Sequence, residues 1–335
     1  MSMSAVSRRG ALALGGGLLA IPGLRAQGLW NPTRPITLVV GYPAGGQTDF
    51  VARAILQGLQ RALGTSIIID HRPGAGGNLG TEMVMGARPD GYTLLAANVA
   101  SMTINPHTMD QLTIDPREMI PIGLAQQSSM VLCTHPSIQV QDLAGLRGWM
   151  ARQAPGAISF ASTGAGSLRH VAMELFRERL NLPAMSHVTY RGTASAMQDL
   201  LAGRCHLMFD SASIVTPLLQ GPPLQAPRLR GILVTGRSRC PALPEIATAG
   251  QQGLGNFIFT NWTGLFAPGG TPPEISGRLN VALNAVLAEP ATRERLLLRG
   301  HEPGGGTPAT MGEMMAQCYA RWGAVVRANN IRAEG

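Results

Sequence analysis

Apolar positions along this chain keep switching between two periods. Pro35 to Val40 is a continuous apolar run of the kind expected for a strand buried on both faces. It ends in the Gly/Pro stretch Gly41 to Gly46. From Phe50 to Leu63 the apolar residues Val51, Ala54, Ile55, Leu59 and Leu63 fall on one helical face, and Gly64 stops them. Ser66 to Asp70 predicts a second strand. Leu94 to Ala97 predicts a third, introduced by the turn Arg88-Pro89-Asp90-Gly91.

The alternation restarts downstream. Strands are expected at Met130 to Cys133, Ile158 to Ala161, His187 to Tyr190, His206 to Phe209, Gly231 to Thr235 and within Phe257 to Ala267. Helices are expected at Leu168 to Leu180, Ala194 to Leu201, and roughly 272–288 and 307–328. A repeated strand–helix rhythm gives an α/β fold with mainly parallel sheets flanked by helices. Two such halves in one chain predict two lobes with a ligand cleft at the carboxyl ends of their strands. The expected division is lobe one at 27–131 plus 256–335 and lobe two at 132–255, with two crossover strands as the hinge.

Composition narrows the function. The 335 residues are 45% hydrophobic and 14% charged, enough apolar material for buried cores and too much for a disordered chain. The chain contains no lysine, which excludes a lysine Schiff base and a P-loop lysine. The formal charge of +8 is spread over scattered arginines without aromatic interleaving, so nucleic acid is not an expected partner. Residues 1–26 read as a twin-arginine-like export leader: Arg8-Arg9, a short apolar stretch from Ala11 to Ile21, and a small residue at Ala26. Cleavage near Gln27 removes three arginines, leaves +5, and places the protein in the periplasm. No later stretch is long and apolar enough for a membrane helix. Of Cys133, Cys205, Cys240 and Cys318, the pair Cys205 and Cys240 is the candidate disulfide. The seven histidines are dispersed, so no metal is expected.

Chemistry concentrates in glycine-rich strand-to-helix loops. In Tyr42-Pro43-Ala44-Gly45-Gly46-Gln47-Thr48-Asp49, glycines that tolerate positive φ, above all Gly46, let several N–H groups converge. The helix that follows adds unpaired N–H groups and partial positive charge, which makes an anion site. Thr48 or Asp49 could instead simply cap that helix. Ser162-Thr163-Gly164-Ala165-Gly166-Ser167 has the same build in the other half. The two loops would face each other and hold the ends of a small anion. A third loop, Pro73 to Asn78, lacks dinucleotide spacing and is expected as a cleft wall; Asn78 within it, and Asn98 at the end of the third strand, are candidate contacts. Enzyme signals are weak. No GxSxG elbow occurs. Ser167 and His170, with Asp49 or Asp210, make a triad only on paper, and His170 reads better as a helix-face residue near the cleft.

The ordered blocks resemble the substrate-binding proteins of tripartite tricarboxylate transporters, the Bug family. They are Trp30…Pro32…Pro35-Ile36, the 42–49 loop with Ala52-Arg53, Arg72 to Gly77, Pro89-Asp90-Gly91-Tyr92-Thr93-Leu94-Leu95, Gly164…Gly166-Ser167…His170, Tyr190-Arg191-Gly192, Asp199 to Gly203, Leu243-Pro244 and Trp262…Gly264-Leu265…Ala267-Pro268. The resemblance implies a two-lobed periplasmic binding protein, type II-like, without a cofactor. It implies a monomer that closes over a small carboxylate and hands it to the transporter's membrane subunits. A sensor subunit using the same fold is the alternative. The resemblance makes Tyr42, Ala44, Gly45, Gly46, Thr48 and Asp49 one carboxylate grip and Thr163, Gly166 and Ser167 the other, with His170 beside it and Tyr190, Arg191, Gly192 and Asp210 lining the second lobe. Three departures from the family pattern stand out: His71 in place of asparagine, Cys205-His206 in place of an acidic-type pair, and an eroded stretch at Pro244 to Thr248 expected on the surface. Few aromatics in the loops argue against sugars.

Overall fold

The structure is a computed structural model that describes residues 30–110, 112, 114–220 and 229–333. The expected leader lies outside the described residues.

The first half opens with strand β1 (Ile36–Val40), helix α1 (Gln47–Leu63), β2 (Ile67–His71), α2 (Asn78–Met85), β3 (Thr93–Asn98) and the short helices α3 (Val99–Thr103) and α4 (Asn105–Thr108). β1 lies between β2 and β3 with both pairs parallel. Ile36, Leu38, Val39 and Val40 are all buried, which is why this strand reads as an unbroken apolar run. In α1 the apolar stripe packs inward, and the helix ends at Gly64 in the left-handed conformation with its N–H donating to the Gln60 carbonyl.

The long strand β4 (Ile120–Thr134) carries the chain into the second half. There follow α5 (Leu143–Met150), β5 (Ser159–Ser162), α6 (Leu168–Arg179), β6 (Ser186–Thr189), α7 (Thr193–Leu201), β7 (Leu207–Ser211), α8 (Ala212–Gln220) and β8 (Arg230–Val234). Strand β9 (Thr260–Ala267) returns to the first half, where α9 (Pro273–Ala288), α10 (Pro290–Leu297), β10 (Glu302–Gly305) and α11 (Pro308–Ala328) complete the chain.

The strands run β2-β1-β3-β9-β4-β7-β5-β6, with β8 and β10 also pairing to β4. The parallel ladders are the outer ones, β2-β1-β3 and β6-β5-β7. Every ladder made by β9 or β4 is antiparallel, because these strands cross between the halves instead of following a βαβ turn. Residues Ile120 to Ser129 of β4 pair with β9, whereas Met130 to Thr134 pair with β7 and β8. Thr235 ties the crossing together. Its hydroxyl accepts the Met130 N–H and donates to the Phe259 carbonyl, while its own N–H donates to the Met130 carbonyl.

The front part of β4 was not expected as a strand, because Gln126, Gln127, Ser128 and Ser129 interrupt its apolar pattern. The buried polar groups there are satisfied from remote positions. Gln126 donates to the Thr263 hydroxyl and the Asn261 carbonyl and lies 3.1 Å from His301 Nδ1; Ser128 donates to the Gly300 carbonyl. Some of the scarce aromatic residues gather in one place. Phe176, Phe209, Phe257, Phe259 and Trp322 form a chain of edge-on and tilted rings that joins α6 and β7 to α11. The four cysteines carry free thiols, so Cys205 and Cys240, both buried in the same apolar cluster, are not bridged. Among the described residues no helix is long and apolar enough to cross a membrane.

Candidate functional site

A cleft of about 610 Å³ opens between the two halves of the sheet. The first half contributes Tyr42 after β1, Gly76, Asn98 at the end of β3, and Asn105 and Met109 around α4. The second half contributes the β5–α6 loop from Thr163 through Arg169 and the β6–α7 loop from Thr189 to Arg191. Asn261 of β9 and Ala333 near the C-terminus complete the wall.

The second-half wall is a helix start aimed into the cleft. Ser167 is the N-cap of α6, and its hydroxyl accepts the His170 N–H. Gly166 sits at φ +76°, and a Cβ there would press on the Thr108 side chain at 3.0 Å, so the loop's path needs glycine at this point. Two imidazoles support the loop from behind. The Gly166 N–H donates to His170 Nδ1, and the Ser162 hydroxyl lies 2.6 Å from His187 Nε2. The two rings stack at 3.9 Å, and His187 stacks on Phe160. Burial pushes both histidines down to about 4, and for His187 the neighbouring His170 adds to the effect. Both are therefore neutral at pH 7, and His170 Nδ1 accepts the Gly166 N–H. The backbone N–H groups of Leu168 and Arg169 fall in the first helical turn, where no intrahelical partner exists.

Arg169 projects from that turn. Its Nη2 meets Asp210 Oδ1 at 2.5 Å and the Thr193 hydroxyl at 3.0 Å, and its Nη1 reaches the Thr163 hydroxyl at 3.4 Å. Asp210 is fully buried and does not line the cleft. Its carboxylate also accepts the Ser211 N–H, so it bears on the cleft only through Arg169. Arg191 is the second guanidinium of the lining. No Asp or Glu lines the cleft among the described residues.

The first-half loop is built differently. Gly46 is the N-cap of α1 with an extended backbone (φ −74°), and no side chain caps this helix. Thr48 and Asp49 belong to the helix, which begins three residues before the expected Phe50. The residue at positive φ is Gly45 (φ +82°), not Gly46. Asp49 is turned into its own loop: its carboxylate accepts the Gly45 N–H at 2.8 Å and Arg53 Nε at 3.0 Å, and it lies 2.8 Å from His71 Nε2. Burial would raise its pKa, but the Gly45, His71 and Arg53 bonds outweigh that and hold it below the usual carboxylate value. The His71 departure is thus absorbed as a partner of Asp49. Tyr42 places its hydroxyl 2.8 Å from both the Gly76 carbonyl and Asn98 Oδ1, and burial pushes it up to about 12. Asn98 in turn caps α3 by accepting the Ala100 and Ser101 N–H groups.

Of the residues expected at the site, Tyr42, Asn98, Thr163, Gly166, Ser167, Tyr190 and Arg191 line the cleft. Ala44, Gly45 and Gly46 are exposed outside that lining, and Thr48 and Asp49 are buried in α1. Asn78 is buried behind the wall, where its side-chain oxygen accepts from Asn105. His170 supports the loop from below, and Gly192 opens α7 just beyond the lining. Sequence reasoning missed Arg169, Asn105, Met109, Asn261 and Ala333. Arg169 left one readable signal: a cation in the first turn of a helix opposes the helix dipole and needs an anion nearby. Asn261 left none. It stands in a strand, and only the fold brings its amide to the Gln47 side chain of the first half and the Ser211 side chain of the second.

Comparison with known proteins agrees with this geometry. The model of the tripartite tricarboxylate transporter family receptor matches residues 51–331. The UPF0065 protein in the tcbD-tcbE intergenic region of Pseudomonas sp. (strain P51) is 36% identical over 293 residues, covering 87% of this chain and 85% of that protein. Among solved structures, R. palustris Rpa4515 with adipate has a TM-score of 0.78 at 31% identity, over 90% of this chain and 99% of its own. MatC (Rpa3494) from Rhodopseudomonas palustris with bound malate has a TM-score of 0.74 at 28% identity, over 88% and 99%. The chain has the two-lobed α/β architecture of these binding proteins, and it belongs to the tripartite tricarboxylate transporter receptor family, whose members bind solutes and are not enzymes.

Proposed function

We propose that this protein is a periplasmic receptor that captures a small carboxylate and delivers it to the membrane subunits of a tripartite tricarboxylate-type transporter. The observation that carries the reading is the charge of the cleft. Its lining holds two arginines and the N-terminus of α6, with no acidic side chain among the described residues. Such a wall offers donors to an anion and little to a cation. The cleft has ample room for a small carboxylate, and relatives of this fold were solved with malate and adipate. Crossing strands β4 and β9 supply the hinge about which the halves would close over it. Export through the 1–26 leader belongs to the same proposal.

Thermal shift tests the reading. Ligand at about 100 times its dissociation constant adds roughly 2.7 kcal/mol, a rise of several degrees for a chain of this size. Mono- and dicarboxylates are screened beside their amides, sugars and inorganic phosphate. Acids are expected to raise the melting temperature and their amides, at the same concentration, to raise it less. A rise with sugars or amides and with no acid would refute the proposal.

A further inference from the structure

We propose that Arg169 is the residue by which this receptor reads ligand charge, with Asp210 and Thr193 as the clamp that aims it. The inference rests on the carboxylate reading and adds to it a named specificity-determining side chain. Arg169 is the more deeply set of the two cleft guanidiniums. Its side chain is only 14% exposed, whereas Arg191 is an exposed residue. Hydrogen bonds from a charged group are strengthened where water is scarce, so a fixed Arg169 N–H serves a guest oxygen better than the water-surrounded Arg191.

A guanidinium carries five N–H groups. The two on Nη2 go to Asp210 and Thr193, and one on Nη1 goes to Thr163. The second Nη1–H is left over, and Nε is buried without any protein partner. Asp210 Oδ2 is likewise buried and unpartnered, so the ion pair stops one hydrogen bond short of a two-bond fork. The clamp therefore fixes the guanidinium by its tip, buries Nε, and leaves one Nη1–H for a guest oxygen. The backbone N–H groups of Leu168 and Arg169 open the same helix, which makes this wall rich in donors. A carboxylate brings the acceptor oxygens the wall lacks. The matching amide presents N–H groups to N–H groups, and loses. Asp210, at 0% exposure, does not read the ligand itself; it offsets the cost of holding a cation against the helix dipole.

Isothermal titration calorimetry tests this with the purified protein, using the tightest of succinate, malate, adipate and benzoate together with its amide. Arg169→Gln is expected to weaken the acid about 10- to 100-fold and leave the amide unchanged, collapsing the acid-to-amide preference. Because that variant strands the Asp210 charge, the double variant Arg169→Gln with Asp210→Asn is measured alongside, and the same loss is expected. Arg169→Lys should recover part of the affinity, since it keeps the charge without the fork. Acid affinity within twofold of the parent in both the single and double variants would overturn the role of Arg169 while leaving the carboxylate reading intact. A parent protein that binds none of the acids would overturn both.

Discussion

The two glycine-rich loops look interchangeable in the sequence and are wired in opposite ways. The 42–49 loop is organised around an acid. Asp49, 4% exposed at its side chain, gathers Gly45, Arg53 and His71, and the loop's tip from Pro43 to Gly46 stands exposed outside the cleft lining. The 162–167 loop is organised around two neutral bases behind it, and its front face forms the cleft wall. An acid used as the internal brace removes negative charge from the cleft by neutralising it locally. Bases used as the brace leave the charge of the helix start undiminished, provided they stay uncharged. The same motif can therefore deliver either a closed local network or an open donor surface, according to what stands behind it.

This contrast can be broken at a single position. Gly166→Val forces a β-branched residue into φ +76° and drives its Cβ onto Thr108 at 3.0 Å. The expected loss is about 2–4 kcal/mol of stability together with ligand binding, read by chemical denaturation and thermal shift. A variant as stable as the parent would mean that the loop can take another path.

The pH dependence separates the two braces by a smaller effect. His170 and His187 are held down to about 4 in the folded protein, against 6.5 when free. Their contribution is present in full above pH 6.5 and is lost as the pH falls through the window from 6.5 to 4, because the unfolded chain takes up protons first. The Asp49 brace has the reverse origin. Its pKa is lowered from 3.8, so its contribution is complete above that value and fails only below it. Melting temperature should thus drop by several degrees between pH 6.5 and 4.5, and a His170→Gln, His187→Gln double variant should lessen that slope, with His301, also held down to about 4 by burial, carrying part of what remains. An unchanged slope in the double variant would remove the histidines as its source.

Gly46→Val is expected to do least. Gly46 is already extended, and its added Cβ would meet only the Pro43 carbonyl at 3.3 Å. Stability should stay within about 1 kcal/mol of the parent. Loss of binding in a variant that stable would show that the exposed tip closes onto the ligand.

The apolar periodicity by itself determined the α/β fold, the outer parallel strands and the two strand-to-helix loops. These are local properties: β1 is buried on both faces and therefore reads as continuous, and α1 is buried on one face and reads as a stripe with a glycine stop. The ordered motif blocks determined the family. Tertiary structure alone decided which loop forms the cleft wall. It also decided that β4 begins at Ile120, because Gln126 and Ser128 find partners at His301, Thr263 and Gly300, more than 130 residues away along the chain. The central strands are antiparallel for a similar reason, since a strand that crosses between halves has no local turn to announce its direction. The Arg169–Asp210 pair joins positions 41 residues apart, and Asn261 spans 214 residues to Gln47. A sequence pattern records whether a residue is buried within its own element; what a buried polar group meets there depends on chain closure over distances that no local period encodes.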